Sequence, residues 1–351
     1  LHLNDKIQEI VPLQKTRSHP NFNGHTLPNK HRWTNRYYEL EVQTFSAKTS
    51  ETTVQFLEEN NQHNPFFLWV DFFDPHEPWD PPEYMVRRYD PHYDGPPMLH
   101  PNYGPSSAYT EAELRNLWAH YAAESELVDR HIGRVLQKID DLQLWENSVV
   151  VVMADHGISI GEHYRTGKSN IDPNDNRFWP IYPEIGHVPF LIAGAGIPKN
   201  KSLDLIAQPI DLLPTLCDLA GVTPILPQEI DGISFANQIR NSLHQHRDMA
   251  ISGCHIKSSS VKPERATTPF LITKEWGYAP VGERGTPELY DLKNDPLATN
   301  NLAANGLEII SELHQLFLGH LADHNAPTDF INLWKLNAQT SNGSWATDYE
   351  D

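Results

Sequence analysis

Three apolar runs of strand length, separated by longer segments, constrain the fold of this chain more than any other feature. They occupy residues 66–73, 148–154 and 188–193. Apolar runs of this length without polar alternation are typical of strands that are covered on both faces, as in parallel sheets. Because helical segments alternate with them, the sequence predicts an α/β fold, with a mostly parallel mixed sheet flanked by helices and a smaller C-terminal α+β subdomain.

The segments between the runs carry helical signals. Residues 37–60 contain neither Gly nor Pro, and their apolar residues share part of one face. Thr110 is suited to capping a long second helix, with Glu111 and Glu113 in its first turn. A third helix is predicted over residues 211–220, where Gly221 provides a suitable C-terminal cap.

The character of the chain changes at about residue 246, which predicts a domain boundary. Residues 270–273 and 288–291 are predicted to be short antiparallel strands around a turn that contains Gly and Pro, followed by a helix over 307–323. We therefore predict an α/β domain over residues 1–245, a small α+β subdomain over 246–335 and a polar tail over 336–351. Residues 1–35 are predicted to be irregular.

Composition narrows the possible partners. The formal net charge of −19 argues against nucleic-acid binding, which normally requires a basic surface. No apolar run approaches the roughly 20 residues that span a bilayer, so no membrane span is predicted. Two cysteines provide no disulfide framework and do not define a cellular compartment. Nothing in the composition predicts an oligomeric state.

Two of the apolar runs end in residues with reactive side chains. Asp74–His76 follows the first run and Asp155–Gly157 follows the second. Functional groups in open α/β sheets gather at the carboxyl ends of strands, and a carboxylate beside an imidazole is a suitable pair of metal ligands. Taken singly, a carboxylate at this position also suits a turn cap, and a histidine between prolines also suits a surface loop. Gly157 is expected to let the backbone turn tightly beside a bound ion.

A glycine-flanked loop over residues 161–168 contains two cationic side chains, those of Arg165 and Lys168. Lys168 is suited to binding an oxyanion and stabilising charge on a leaving oxygen, although a solvated loop has the same spacing. The spacing from Gly161 to Gly167 excludes a phosphate-binding P-loop, and no Gly-x-Ser-x-Gly nucleophile elbow occurs.

An ordered series of short motifs connects these residues. Along the chain stand Pro65–Leu68, Pro75–Pro78, Ala154–Gly157, Gly161–His163, Gly167–Lys168, His187–Phe190, Asp211–Leu216, Asp231–Ser234, Glu288–Leu292 and Asp295–Pro296. In this order and spacing, over about residues 37–323, the sequence resembles the sulfatase family of the alkaline-phosphatase superfamily. Each motif is weak alone, and the specificity comes from the series.

The resemblance implies a role for each matching residue. His76 matches a histidine that contacts the sulfate ester and helps protonate the leaving alcohol. Lys168 matches a lysine that binds the sulfate and its bridging oxygen, so both residues are predicted to be catalytic and substrate-binding. Asp155 and His156 match a pair that ligates a divalent cation, usually Ca²⁺. His163 lies in a matching motif without an assigned chemistry.

The sequence departs from the family pattern in one respect. The family begins with paired metal-binding aspartates and a Cys/Ser-x-Pro-x-Arg motif, whose first residue becomes formylglycine. Neither occurs here: the one Pro-x-Arg, Pro263–Arg265, has Val261 at the nucleophile position. We therefore expect a C-terminal portion with an incomplete metal site, inactive alone, that exposes apolar edges at residues 66–73 and 149–152.

The resemblance leaves several functions open. The leading expectation is hydrolysis of a small-molecule or carbohydrate sulfate ester. Phosphonate monoester and phosphodiester hydrolases of the same superfamily often have His at the position of His156, where many sulfatases have Asn, so such a hydrolase is the enzymatic alternative. An inactive truncated remnant is the non-enzymatic one. Family members commonly act in the periplasm, outside the cell or in the lysosome.

Overall fold

The computed structural model describes Asn35, residues 40–169, Asp175, and residues 177–223, 230–243, 245–253 and 267–334. The irregular stretch predicted at the N-terminus, Asn35 excepted, and the predicted polar tail lie outside these residues. The described helices are α1 (Phe45–Asn60), α2 (Glu83–Tyr89), α3 (Glu111–Asp141), α4 (Pro183–Gly186), α5 (Leu212–Ala220), α6 (Ala236–Asn241), α7 (Leu307–Asp323) and α8 (Thr328–Leu333). The described strands are β1 (Gly104–Pro105), β2 (Val149–Met153), β3 (Ser159–Ile160), β4 (Arg165–Gly167), β5 (Trp179–Pro180), β6 (Phe190–Gly194), β7 (Met249–Ser252), β8 (Thr267–Thr268), β9 (Phe270–Thr273), β10 (Trp276–Ala279) and β11 (Glu288–Asp291).

The chain divides into two compact units. The first comprises Leu1–Ser148 and Ser159–Asp175, and the second comprises Val149–Ile158 and Asn176–Asp351. The domain boundary predicted near residue 245 stays a prediction. None of the described helices is long and apolar enough to cross a membrane.

Helix α3 organises the first unit. Its start is the predicted one, because the Thr110 side chain accepts from the Glu113 amide while Glu113 reaches back to the Thr110 amide, a capping box. Helix α1 starts later than predicted, since Thr44 has an extended backbone and caps it by accepting from the Ala47 amide. Both α1 and α2 pack on α3, and α2 and α3 share a small apolar core.

The predicted first strand is not part of a sheet in the structure. Residues 66–73 are extended, but they form no ladder with any strand of the described residues. Burial alternates along them, and the outward side chains of Phe67, Trp69 and Phe73 are 74%, 65% and 56% exposed. Among the described residues only one face of this segment is covered, so coverage on both faces stays a prediction. The predicted exposure of apolar side chains is present.

A three-stranded antiparallel sheet in the first unit has the order β1-β4-β3. Thr166 in the central strand pairs with Gly104 on one side and with Ile160 on the other. The Thr166 hydroxyl also donates to the Asn102 carbonyl over 2.7 Å. This sheet therefore brings the segment before β1 next to the residue that follows β4, which is Lys168.

The two long apolar strands of the second unit form an antiparallel ladder. Strand β2 pairs with β6 from Val149↔Gly194 to Met153↔Phe190. Helices and sheets together confirm the α/β class, but the predicted parallel arrangement does not hold for this pair; among the described strands only β5 and β8 pair in parallel. An apolar run indicates a covered strand whatever its direction, so the direction could not be inferred from it.

The C-terminal part of the second unit contains a four-stranded antiparallel sheet with the order β11-β10-β9-β7. Strands β9 and β11 confirm two predictions, but they do not pair with each other, because β10 lies between them. Because Gly and Pro residues lie in and after β10, the sequence predicted a turn where this strand is found. Helix α7 has the predicted bounds and contributes Leu313 and Phe317 to a core shared with Leu271, Tyr278 and Leu289.

Candidate functional site

The loop over residues 74–79 presents His76 from a rigid base. Trp79 is fully buried, its indole donates to the Pro75 carbonyl over 2.8 Å, and its amide donates to the Leu99 carbonyl over 2.7 Å. The His76 ring stacks on Phe73 with 4.7 Å between ring centroids. Packing on both sides of the loop thus holds a partly exposed imidazole in one orientation.

Lys168 directly follows β4, and its side chain extends to His76. Gly167 has φ +102°, a conformation that favours glycine, and a Cβ atom on it would lie 2.5 Å from the Tyr103 ring. The ring of Tyr103 therefore packs directly against the backbone that precedes Lys168. Any larger residue at position 167 would displace one or the other.

His76 and Lys168 are in direct contact although they lie 92 positions apart in the sequence. Lys168 Nζ is 2.9 Å from His76 Nε2, and His76 Nδ1 is 2.6 Å from the Glu77 carbonyl oxygen. A carbonyl only accepts, so Nδ1 carries a proton, and in the neutral ring Nε2 accepts from the lysine ammonium. If Nε2 were also protonated, two N–H donors would face each other over 2.9 Å with no acceptor between them. The pair consequently holds one shared proton along this contact.

Glu77 lies beside this pair with its carboxylate buried. The residue is 4% exposed, its Oε1 is 3.4 Å from Lys168 Nζ, and it accepts a hydrogen bond from the Tyr103 hydroxyl. Burial alone would raise the pKa of Glu77, but the Tyr103 hydrogen bond and the Lys168 charge bring this pKa below its ordinary value of 4.5. The carboxylate is therefore ionised at neutral pH.

Two aromatic side chains, those of His100 and Tyr103, lie near Glu77. His100 stacks on Tyr103, and its Nδ1 donates to the Pro101 carbonyl over 2.6 Å. Burial lowers the pKa of His100 to about 4, against the smaller opposing effect of the Glu77 charge. Burial, reinforced by Glu77, raises the pKa of Tyr103 above its ordinary value of 10.0. His100 is thus neutral and Tyr103 remains a hydrogen-bond donor at pH 7.

Sequence reasoning missed Glu77, His100 and Tyr103 as functional candidates. Glu77 was seen as part of a motif, and the other two lie in a Pro-rich segment that carries no periodic signal. The one available signal was the adjacency of Glu77 to His76. Their contacts depend on the β1–β4 pairing, which brings together residues about 60 positions apart and is invisible in a linear motif.

Asp155 and His156 follow β2 in the second unit. The His156 amide donates to Asp155 Oδ1 over 2.8 Å, and His156 Nδ1 is 3.0 Å from the Gly157 carbonyl oxygen. This carbonyl fixes the proton on Nδ1 and leaves the lone pair on Nε2, which lies 3.5 Å from Asp155 Oδ2. One nitrogen and one oxygen donor therefore lie side by side, with the Asp155 side chain 84% exposed.

Gly157 is required after Asp155 and His156 because its backbone lies close to the backbone of Glu184. Its amide donates to the Ile185 carbonyl over 2.8 Å, and a Cβ atom on it would lie 2.1 Å from the Glu184 carbonyl oxygen. Its φ is not among the positive values of the chain, so the expected tight turn is not the reason for glycine here. The loop is instead pressed against α4, which orients Asp155 and His156.

The divalent cation implied by the resemblance fits Asp155 and His156 as two of its ligands. A ligating histidine usually donates its other ring N–H to a carbonyl or carboxylate, and His156 does so. A hard cation takes roughly six to eight ligands. Within the described residues, no group of three or more His, Cys, Asp or Glu side chains is arranged to hold a metal ion. Asp155 and His156 would therefore supply only part of the coordination sphere of such a cation.

The structure thus brings together the predicted residues in two pairs. His76 contacts Lys168 in the first unit, and Asp155 contacts His156 in the second. His163 lies in a short turn before β4 with φ 49° and carries no assigned chemistry.

The proteins that this chain resembles include the following family, relatives and solved structure. The sequence model of the family described as Sulfatase matches residues 7–222. The Delta 4,5-hexuronate-2-O-sulfatase of Bacteroides thetaiotaomicron is 33% identical over 201 residues, which are 56% of this chain and 38% of that protein. Arylsulfatase K of Bos taurus is 29% identical over 219 residues, which are 59% of this chain and 37% of that protein. The structure of a 2-O GAG sulfatase superposes with a TM-score of 0.62 and 27% identity, covering 82% of this chain and 65% of that one. The matched segments therefore span well under half the length of these two relatives.

Proposed function

The chain belongs to the sulfatase family, and we propose that the protein hydrolyses sulfate esters with His76 and Lys168 at the leaving oxygen. One observation carries this proposal: the 2.9 Å contact between His76 Nε2 and Lys168 Nζ. The two side chains come from distant segments and meet at a partly exposed place. An imidazole and an ammonium that share one proton are suited to general acid catalysis.

The proton of this pair has a defined destination in the proposed reaction. Cleavage of the bond between sulfur and the bridging oxygen leaves the electron pair on the alcohol oxygen. As that bond breaks, an N–H bond of the pair breaks and an O–H bond forms, which releases a neutral alcohol. The positive charge of Lys168 also attracts the sulfate oxygens, which is needed in a chain with a formal net charge of −19. In this family, a formylglycine nucleophile and a divalent cation supply the attack on sulfur.

Asp155 and His156 would hold the divalent cation. The proposal rests on the adjacent Asp155 Oδ2 and His156 Nε2 and on the carbonyl that fixes the histidine tautomer. Calcium is the family expectation, whereas an imidazole ligand also suits Zn²⁺. Titration of the protein with each metal alone identifies the preferred ion.

We propose a sulfated carbohydrate as the substrate class. The support is the similarity to a hexuronate-2-O-sulfatase and to a 2-O GAG sulfatase, whose names refer to sulfated sugars. A decisive experiment measures the turnover of the full-length protein on a 2-O-sulfated unsaturated uronic acid disaccharide, an aryl sulfate and a phosphonate monoester. The disaccharide should give the highest kcat/KM. Faster turnover of the phosphonate than of both sulfates would replace this proposal.

His156 favours a second candidate, a phosphonate monoester or phosphodiester hydrolase. The resemblance associates histidine at this position with such enzymes and asparagine with many sulfatases. The variant His156→Asn separates the two functions. If sulfate hydrolysis is the main activity, the variant retains its preference for sulfate over phosphonate. If the phosphonate is the true substrate, that activity should fall more steeply than the sulfatase activity.

A further inference from the structure

The buried carboxylate of Glu77 links Lys168 to Tyr103 beside the proposed acid. We propose that Glu77, itself held by Tyr103, is a positioning residue that keeps the Lys168 ammonium directed at His76. This inference rests on the proposed function, because it assigns a role within the same site. Glu77 does not need to touch the substrate for this role.

The geometry of the ammonium supports the proposal. Lys168 has three N–H donors. Among the described contacts, one donor serves His76 Nε2 at 2.9 Å and a second faces Glu77 Oε1 at 3.4 Å. The third remains for an oxygen of the sulfate ester. A flexible four-carbon side chain would otherwise sample many orientations, so two fixed contacts define the direction of the third.

Neighbouring side chains hold the Glu77 carboxylate in position. The titratable groups that face it are His76, His100, Tyr103 and Lys168. Tyr103 donates to its carboxylate and is itself seated by Gly167 and by the His100 ring. Glu77 Oε2 lies 3.6 Å from His76 Nδ1, and the Glu77 backbone carbonyl accepts a hydrogen bond from that nitrogen. One residue therefore orients both members of the proposed catalytic pair.

A buried acid without such contacts would take up a proton and lose its charge. The contacts with Tyr103 and Lys168 keep Glu77 ionised, so a negative charge lies 3.4 Å from Lys168 Nζ. Loss of this carboxylate removes the negative charge beside Lys168 Nζ, which disfavours the ammonium and frees the side chain to turn away from His76. A residue with a merely structural role would change the amount of folded protein and leave the chemistry of Lys168 unchanged.

The first test compares Glu77→Gln with Glu83→Gln in the full-length protein. Glu83 is a suitable control because its carboxylate is exposed and pairs with Arg87 on the surface of α2. We expect Glu77→Gln to lower kcat about 10-fold or more, with a smaller change in KM. The alkaline limb of its pH–rate profile should move about one pH unit or more toward lower pH. Tyr103→Phe should move the limb in the same direction by less, and Glu83→Gln should not move it.

The second test needs no turnover. Acetic anhydride labelling of the 351-residue chain, followed by peptide mass spectrometry, reports the reactivity of Lys168 against that of the exposed Lys199. We expect Lys168 to react about 10-fold faster in Glu77→Gln than in the unmodified chain at the same pH. If Glu77→Gln does not fold, Tyr103→Phe is used in both tests, with a smaller effect of the same sign.

The outcomes separate this inference from the proposed function. If Lys168→Ala abolishes turnover while Glu77→Gln and Tyr103→Phe keep the original pH profile and labelling rate, the positioning role is wrong and the proposed function stands. If Lys168→Ala and His76→Ala both retain near-normal turnover, the proposed function itself is wrong. If Glu77→Gln shifts both readouts and Glu77→Asp restores part of the original values, the positioning role is supported.

Discussion

The loop that carries His76 and the loop that carries Asp155 differ in how the described residues hold them. Around His76, a buried tryptophan, a buried carboxylate and a stacked phenylalanine determine the orientation of the functional side chains. Around Asp155, backbone contacts hold the loop, but the carboxylate projects outward and is 84% exposed. The side chains of the first loop are ordered by protein contacts, whereas the carboxylate of the second is exposed.

The difference follows from the chemistry that each loop is proposed to perform. A proton donor works only within hydrogen-bond distance of the leaving oxygen, so its orientation must exist before the substrate binds. A cation draws its own ligands together, and exposed donors are sufficient until it arrives. Four changes test this contrast, beginning with the largest expected effect.

The buried base of the first loop gives the largest expected effect. Trp79→Ala should lower the free energy of unfolding by about 3–5 kcal/mol, because it removes a fully buried indole and its hydrogen bond. Trp69→Ala is the matched control, since Trp69 is 65% exposed, and its effect should stay within about 0.5 kcal/mol. Denaturant unfolding of the 351-residue chain measures both. Equal losses would show that Trp69 is covered in solution.

The second change concerns acid stability near the first loop. The folded-state pKa of His100 is about 4, below its ordinary 6.5, so the unfolded chain binds the proton more readily between these values. His100 therefore contributes stability that is complete above pH 6.5 and is lost as the pH falls toward 4. The loss is on the order of 3 kcal/mol. His100→Asn should flatten the dependence of unfolding free energy on pH in this window, and an unchanged slope would contradict the buried neutral state of His100.

The third change removes the proposed acid. His76→Ala and Lys168→Ala should each lower the kcat of the full-length protein about 100-fold, because each leaves the other without its partner. The double variant should be only slightly slower than either single variant, since residues that act as a unit give non-additive losses. Additive losses in a steady-state assay would show that the two side chains act separately despite their 2.9 Å contact.

The fourth change concerns the second loop. Asp155→Asn removes a charged ligand and should weaken Ca²⁺ binding about 10-fold, as measured by calorimetric titration. Because Asp155 is exposed, the same variant should leave the unfolding midpoint without metal unchanged. Unaltered calcium affinity would remove Asp155 from the proposed metal site. A lowered midpoint without metal would show that Asp155 supports the fold, contrary to the contrast between the two loops.

Local sequence signals predicted the four longest of the described helices, with a late start for α1, and predicted strand pairing poorly. The capping box at Thr110 and the bounds of α7 are confirmed, because caps and helical periodicity depend on residues within a few positions of one another. Strand β10 was missed, and the antiparallel pairing of β2 with β6 was not predicted. Pairing joins residues that are distant in sequence, and an apolar run carries no information on which strand lies beside it or in which direction.

For the candidate site, the sequence by itself determined the family and the four residues expected to carry the chemistry. Their motifs are short and ordered, so they can be recognised without any contact between them. Only the tertiary structure decided that His76 and Lys168 share a proton and that Glu77 and Tyr103 adjoin them. The reason is physical: a shared proton and an ionised buried acid depend on distances of about 3 Å. Those distances arise where the 74–79 loop meets the end of β4, and no linear pattern encodes that meeting.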